Sequence, residues 1–249
     1  MVMKKEIGEP RKKIPIPEPP YFQQGSGVTL IYTLPAHRFN DILPGFFETY
    51  PNRKKVWFAV DVFKWDKSIS KHDPEVNHPF NEIIYRVYVK FNGRLGDYTI
   101  RAYLNNPVAV NWGRHFYAYP KYLADVSINK TPITLLARGL RDGQEILNLE
   151  VTKRGFISGL LSPLFNAYIN RLIKRYAGPY NFREEENEVV NVPVTMKNKL
   201  SIGKVKQAYF RDPIEWDILS EKEALKPSYV FLWESIDVNV DPPEITKNP

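Results

Sequence analysis

The sequence predicts an α+β fold built around an antiparallel β-barrel or strongly curved sheet with flanking helices. Two observations carry that expectation. Many short runs alternate apolar and polar residues with period two, are rich in β-branched and aromatic side chains, and are separated by turn residues. These runs also follow one another without intervening helices, which argues against a parallel α/β sheet. In a chain of 249 residues, 43% hydrophobic content supplies enough apolar side chain for a packed core.

In chain order, residues 1–20 alternate charge with proline and predict an extended arm, because proline blocks both helix and central strand. Residues 21–249 read as a single folded domain, with no internal repeat and no shift in composition. Predicted strands are VTLIYTL (28–34), VWFAVDVF (56–63), IYRVYVKF (84–91), DYTIRAYL (97–104), VAVNW (108–112), EILNLEVT (145–152) and YVFLWESIDVNV (229–240). The Asn92-Gly93 pair between two of them predicts an antiparallel hairpin. A short helix is expected in PAHRFNDILPGFF, bounded by Pro35 and Pro44. A stronger one is expected over 163–176, where an apolar stripe recurs at helical spacing between Ser162-Pro163 and Gly178-Pro179. Packing on the core or a neighbouring subunit is the reading of that helix; a basic helix on a membrane surface is the minor alternative.

Composition removes several classes of chemistry. There are no cysteines, so disulfides, thiolate metal sites and cysteine nucleophiles are excluded. No apolar run approaches the length of a spanning helix, and the N-terminal residues lack a signal-peptide core, so a cytoplasmic location is expected. The net charge of +7 is spread along the chain rather than gathered into a basic tail. Aromatics sit in strand patterns rather than among basic residues, so neither nucleic acid nor membrane is an expected partner. GxSxG, GxGxxG and P-loop motifs are absent. His72, Asp73, Glu75 and His78 lie close together, but proline in the run and the lack of a helical pair make a solvated loop the better reading than a metal site.

The stretch with chemical potential is GRHFYAYPKYLADV (113–126), where Lys121 is flanked by Tyr119-Pro120 and Tyr122. Taken alone, Lys121 reads as an ordinary turn lysine rather than as an amine placed for chemistry. An amine attacks a carbonyl only when neutral, and apolar burial can lower a lysine pKa by about 3–5 units.

FNGRLGDY (91–98), YLNNPVAV (103–110) and GRHFYAYPKYL (113–123), in that order, resemble acetoacetate decarboxylase and the superfamily named after it. Reactive lysines in that family are activated by desolvation or a nearby cation. The resemblance implies that Lys121 is the imine-forming lysine and Glu82 the active-site acid near it, with Arg114, Tyr119, Tyr122 and Thr33 lining the substrate site. It further implies a lysine-imine decarboxylase of a β-keto acid, such as acetoacetate or a relative. No organic cofactor or metal is needed, because the imine is itself the electron sink. A small-molecule keto acid is the implied partner, and a homo-oligomer the implied assembly. Alternative readings keep the scaffold: a Schiff-base aldolase or dehydratase acting on a 2-keto acid, or a non-catalytic barrel binding a small ligand. Three positions depart from the family pattern. Tyr122 replaces a second lysine, Thr33 stands where the family has a first-strand arginine, and Ala59 stands where it has an accompanying acid, with Asp61 two residues on.

Overall fold

The structure is a computed structural model and describes residues 18–154, 176–183, 185–211 and 219–247. Its strands in chain order are β1 (Tyr21–Pro35), β2 (Glu48–Thr49), β3 (Pro51–Asn52), β4 (Lys55–Ser70), β5 (Phe80–Phe91) and β6 (Arg94–Leu104). Helix α1 (Pro107–Tyr117) follows, then β7 (Lys121–Leu123), β8 (Asp125–Lys130), β9 (Thr134–Arg141) and β10 (Gln144–Lys153). The remaining elements are β11 (Tyr176–Arg183), β12 (Glu188–Asn191), β13 (Val194–Phe210), the one-turn helix α2 (Glu221–Ala224), β14 (Tyr229–Val240) and β15 (Glu244–Lys247).

All of these strands join one sheet in the order β15-β12-β11-β6-β5-β4-β1-β14-β13-β10-β9-β8, with β2 on β5, β3 on β4 and β7 on β6. The path has two ends, so of the two expected shapes the molecule adopts the curved sheet and not a closed barrel. The β8 end nonetheless folds back over β5 and β6: Asn81 and Asn105 Nδ2 both donate to the Val126 carbonyl, at 3.0 and 3.3 Å. Pairing is antiparallel except for β7 and β11, each of which runs parallel to β6.

Curvature gives the central strands two buried faces. In β4, Val56, Phe58, Val60 and Val62 enter the main core, whereas Ala59, Phe63 and Trp65 enter a second apolar cluster on the opposite face. In β5, Ile83, Tyr85, Val87 and Val89 take the core side. The second face, shared with α1, β1, β13 and β14, encloses the cavity described below. Among the described residues no helix is long and apolar enough to cross a membrane.

The predicted hairpin is present: Asn92 (φ 50°) and Gly93 (φ 76°) join β5 to β6 in the left-handed turn that suits a twisted ribbon. The same chemistry at Asp142 (φ 52°) and Gly143 (φ 76°) joins β9 to β10. One predicted strand is corrected. VAVNW opens helix α1, because the Asn106 side chain accepts from the N–H of both Val108 and Ala109 and Pro107 begins the helix with its φ already set. Residues Ala109, Val110, Trp112, Gly113 and Tyr117 then face inward. The expected helix after Pro35 shrinks to the 3-10 turn Ala36–Phe39. Residues 163–175 of the other expected helix, and residues 1–17 of the arm, lie outside the described residues, while Tyr176 opens β11. The described end of the arm is pinned to β4, with Ser70 Oγ donating to the Glu18 carbonyl at 2.6 Å.

Because the Asn106 side chain satisfies two backbone donors, Asn106→Ala is expected to cost about 1 kcal/mol. A denaturant titration checks this: an unchanged midpoint would mean that the cap contributes nothing to stability.

Candidate active site

The cavity on the second face has a volume of about 290 Å³. Strand alternation decides its walls. From β4 come Trp57, Asp61, Phe63 and Trp65, and from β5 come Glu82, Ile84, Arg86 and Tyr88. A bulge sets the third wall. Tyr85 pairs with Arg101 but Arg86 pairs with Thr99, so Ile100 is skipped and the parity of β6 reverses. Without that extra residue Asp97 would face the main core; with it, Asp97 reaches Arg86.

Lys121 is delivered by the α1–β7 connection. Helix α1 ends at Ala118, whose left-handed backbone (φ 53°) lets its N–H donate to the Gly113 carbonyl. The chain reverses there, and the Ala102 N–H donates to the Pro120 carbonyl at 3.0 Å, starting the β6–β7 pairing. Asp61, Ile84, Ala102 and Lys121 become successive partners across β4, β5, β6 and β7, and all four line the cavity. The lysine stem lies against the helix backbone at Gly113. A Cβ there would stand 2.4 Å from Lys121 Cδ and 2.6 Å from Cε, so only glycine admits it. Arg114 Nε donates to the Lys121 carbonyl at 2.6 Å, fixing β7 from outside the cavity.

The amine has an apolar surround with one acid. Lys121 Nζ lies 3.6 Å from Glu82 Oε2, and the two side chains are only 12% and 6% exposed. The Tyr119 and Phe80 ring centroids stand 5.1 and 5.7 Å from Nζ. Trp65 Nε1 donates to Glu82 Oε1 at 2.7 Å, which fixes the carboxyl while leaving Oε2 without a hydrogen-bond partner among the described residues. The buried indole N–H of Trp112, also in the cavity wall, likewise has none.

A second polar layer lies further along the strands. Thr29 Oγ1 donates to Asp61 Oδ1 at 2.5 Å and accepts from Trp233 Nε1 at 2.8 Å. Arg86 Nε stands 2.5 Å from Asp61 Oδ2, and Arg86 Nη1 donates to Asp97 Oδ2 at 2.9 Å. Complete burial pushes the Asp61 pKa up, against the opposing effects of Arg86 and the Thr29 hydrogen bond, and the nearby Asp97 charge adds to the rise. Burial also raises Tyr88 to about 12 and Tyr119 well above its ordinary value, so both phenols stay protonated near neutrality.

Of the residues singled out in the sequence, Lys121, Glu82 and Tyr119 meet in this cavity, and three others do not line it. Tyr122 follows Lys121 on a strand and therefore points to the opposite face, where the guanidinium carbons of Arg101, Arg114 and Arg141 stand 5.2, 5.3 and 4.8 Å from its ring centroid. Arg114 belongs to that clamp and to the Lys121 carbonyl. Thr33 is exposed beyond the cavity's end, its hydroxyl accepting from Ser228 Oγ at 3.0 Å; Thr29, four residues earlier on the same strand face, is the threonine inside. Arg86, Asp61, Asp97 and Trp65 were not among the expected site residues. Counting by twos from Glu82 reaches Arg86, and counting by twos from Trp57 reaches Asp61 and Trp65, so strand parity was the available signal. Asp97 is hidden from such counting by the bulge.

The curved sheet thus encloses a buried lysine–carboxylate pair in an apolar cavity. Residues 8–202 match the model of the acetoacetate decarboxylase (ADC) family, and the chain belongs to that family of enzymes. Among solved structures, the acetoacetate decarboxylase of Legionella pneumophila is 15% identical with a TM-score of 0.67, over 97% of this chain and 92% of that one. An acetoacetate decarboxylase-like enzyme from Sphingomonas wittichii RW1 is 12% identical with a TM-score of 0.67, over 100% of both chains. The enduracididine biosynthesis enzyme MppR, complexed with pyruvate, is 13% identical with a TM-score of 0.64, over 94% of this chain and 93% of its own. At such identities the likeness is one of fold. No curated protein sequence matches the chain.

Gly113→Ala should leave the fold intact, since alanine is favoured in a helix by about 0.5–1 kcal/mol. The new methyl must displace the Lys121 stem, so if Lys121 forms an imine with a test ketone, the rate of that step is expected to fall at least about tenfold while the melting temperature holds. An unchanged rate would show that the close approach does not place the amine.

Asp61 carries a pH signature. With its pKa raised, the folded chain holds a proton that the unfolded chain has lost above the ordinary aspartate range, so stability declines as pH rises through that window. Asp61→Asn removes the titration and leaves the Arg86–Asp97 pair, so its melting temperature should fall less between pH 5 and 8 than the wild type's. Parallel curves would exclude Asp61 as the titrating group.

Proposed function

We propose that this protein is a lysine-imine decarboxylase of a β-keto acid. The observation that carries the reading is the Lys121 amine 3.6 Å from Glu82 inside an apolar cavity. Glu82 accepts a proton from the Lys121 ammonium, leaving a neutral amine that attacks the keto carbon. Loss of water gives a protonated imine bound to Lys121. The bond between the α-carbon and the carboxylate then breaks, its electron pair moving to the iminium nitrogen, and carbon dioxide leaves. The resulting enamine takes a proton on carbon, and water adds to release the ketone and restore the amine. Trp65 holds Glu82 in place for both proton movements, and Tyr119 and Phe80 keep water from the amine.

A second reading, an aldolase or dehydratase on a 2-keto acid, draws on the Arg86 layer. The cavity's arginine is already held by Asp61 and Asp97, so a fixed cation for a departing carboxylate is not the chief feature of that wall. The same lysine imine would serve this chemistry, and the MppR structure with pyruvate shares the fold.

Borohydride reduction in the presence of acetoacetate or pyruvate, followed by peptide mass spectrometry, tests both readings. The expected result is an adduct on Lys121 and release of carbon dioxide from the β-keto acid. No adduct with any ketone would overturn the imine readings, whereas an adduct without carbon dioxide but with aldehyde consumption would select the aldolase. Glu82→Gln is expected to lower turnover about 10²–10⁴-fold, and unchanged turnover would remove Glu82 from the mechanism.

A further inference from the structure

The cavity that holds Lys121 and Glu82 has room beyond the smallest β-keto acid. At about 30 Å³ for a water-sized group, its 290 Å³ hold roughly ten such groups. Acetoacetate has only seven non-hydrogen atoms. Along β5, Glu82 and Arg86 are four residues apart, so their backbones are separated by about 13 Å of strand. The wall beside and between them is apolar, formed by Phe63, Ile84, Ala102, Phe231 and Trp233. The charged groups beyond it are already committed to one another, with Arg86 bound to both Asp61 and Asp97. Between the two polar layers the cavity therefore offers contact surface rather than further hydrogen-bonding groups, and buried aromatic walls reward an apolar ligand of matching length.

We infer that the substrate is a 3-oxo acid bearing an apolar chain of about two or three carbons beyond the methyl of acetoacetate. Its keto carbon would lie at Lys121 and its tail between the Glu82 and Arg86 layers, against Phe63, Ile84 and Trp233. The inference rests on the imine reading above and fixes the substrate class within it. Each methylene moved from water into such a wall is worth about a fourfold gain in kcat/KM. A 3-oxo acid with two added methylenes should therefore be preferred over acetoacetate by about one order of magnitude.

The test uses the full-length protein with acetoacetate, 3-oxohexanoate, 3-oxooctanoate and benzoylacetate. Carbon dioxide release and the rate of borohydride-trapped adduct on Lys121 are measured for each. A rise of about fourfold per methylene from acetoacetate to 3-oxohexanoate, with no further gain for 3-oxooctanoate or benzoylacetate, is the expected outcome. Equal rates along the series, or a decline from acetoacetate onward with adduct still formed on Lys121, would overturn the substrate class while leaving the imine reading intact. Absence of adduct with every member would overturn both. Ile84→Trp, which fills the middle of the wall, should lower the ratio of the 3-oxooctanoate rate to the acetoacetate rate at least about tenfold. That ratio is taken within one preparation, so partial misfolding cancels, and an unchanged ratio would place the tail elsewhere and count against the inference.

Discussion

The pleat of the central strands is the constraint on which the rest of the molecule depends. Successive residues of β4, β5 and β7 must face opposite sides of the sheet, and curvature has made both sides interior. Every one-residue step therefore moves a side chain between the main core and the cavity. Trp65, Glu82 and Lys121 meet because they share a parity across neighbouring strands, and the sheet's bend brings that face inward. A slip of one residue in β7 would exchange Lys121 for Tyr122 and remove the amine from the site. The guanidinium groups around Tyr122 oppose that slip, since they hold its ring on the far side. Tyr122 thus serves the site from behind, and the absence of a second lysine at that position costs the cavity nothing that it could see.

Much of this was readable from the chain, for reasons that differ by element. Runs such as VWFAVDVF and IYRVYVKF are dominated by apolar and aromatic residues because each lies between two apolar surfaces, and the Asn-Gly turn has few other conformations open to it. Helix α1 was misread because Val108, Val110 and Trp112 favour strands as isolated residues. Two local signals, the Asn106 cap and the proline after it, outweighed that propensity once packing supplied an inner face. Strands β8, β9 and β13 carry charge on exposed faces and give weak alternation; pairing makes them strands, β8 and β9 with each other and β13 with β10 and β14, which are remote in sequence.

The site was legible as far as residue type and local motif could take it. Lys121 and Glu82 were reached through a family pattern, and their meeting is a consequence of register. Arg86 was harder to see, because an arginine in a strand usually marks solvent. Only the fact that β5 is buried on both faces turns it into a cavity residue, and only the bulge at Ile100 supplies Asp97 to hold it. Thr33 and Ala59, where the family pattern has an arginine and an acid, are matched by a charged layer placed elsewhere. Asp61 and Arg86 face each other across β4 and β5, deeper along the same wall.

That placement bears on how a carboxylate could be lost. The Lys121–Glu82 pair is neutral overall whichever partner holds the proton. Arg86 with Asp97 and an Asp61 whose burial favours the acid form makes a second neutral group. A keto acid entering this cavity brings a negative charge that no surplus cation meets. Formation of the protonated imine on Lys121 then supplies the one positive charge, adjacent to the bond that must break. Departure of carbon dioxide removes both charges at once and leaves a neutral enamine in an apolar surround. Under the proposed chemistry, a low-dielectric wall therefore disfavours the charged state before bond cleavage more than the state after it, which is the direction in which a cavity accelerates decarboxylation.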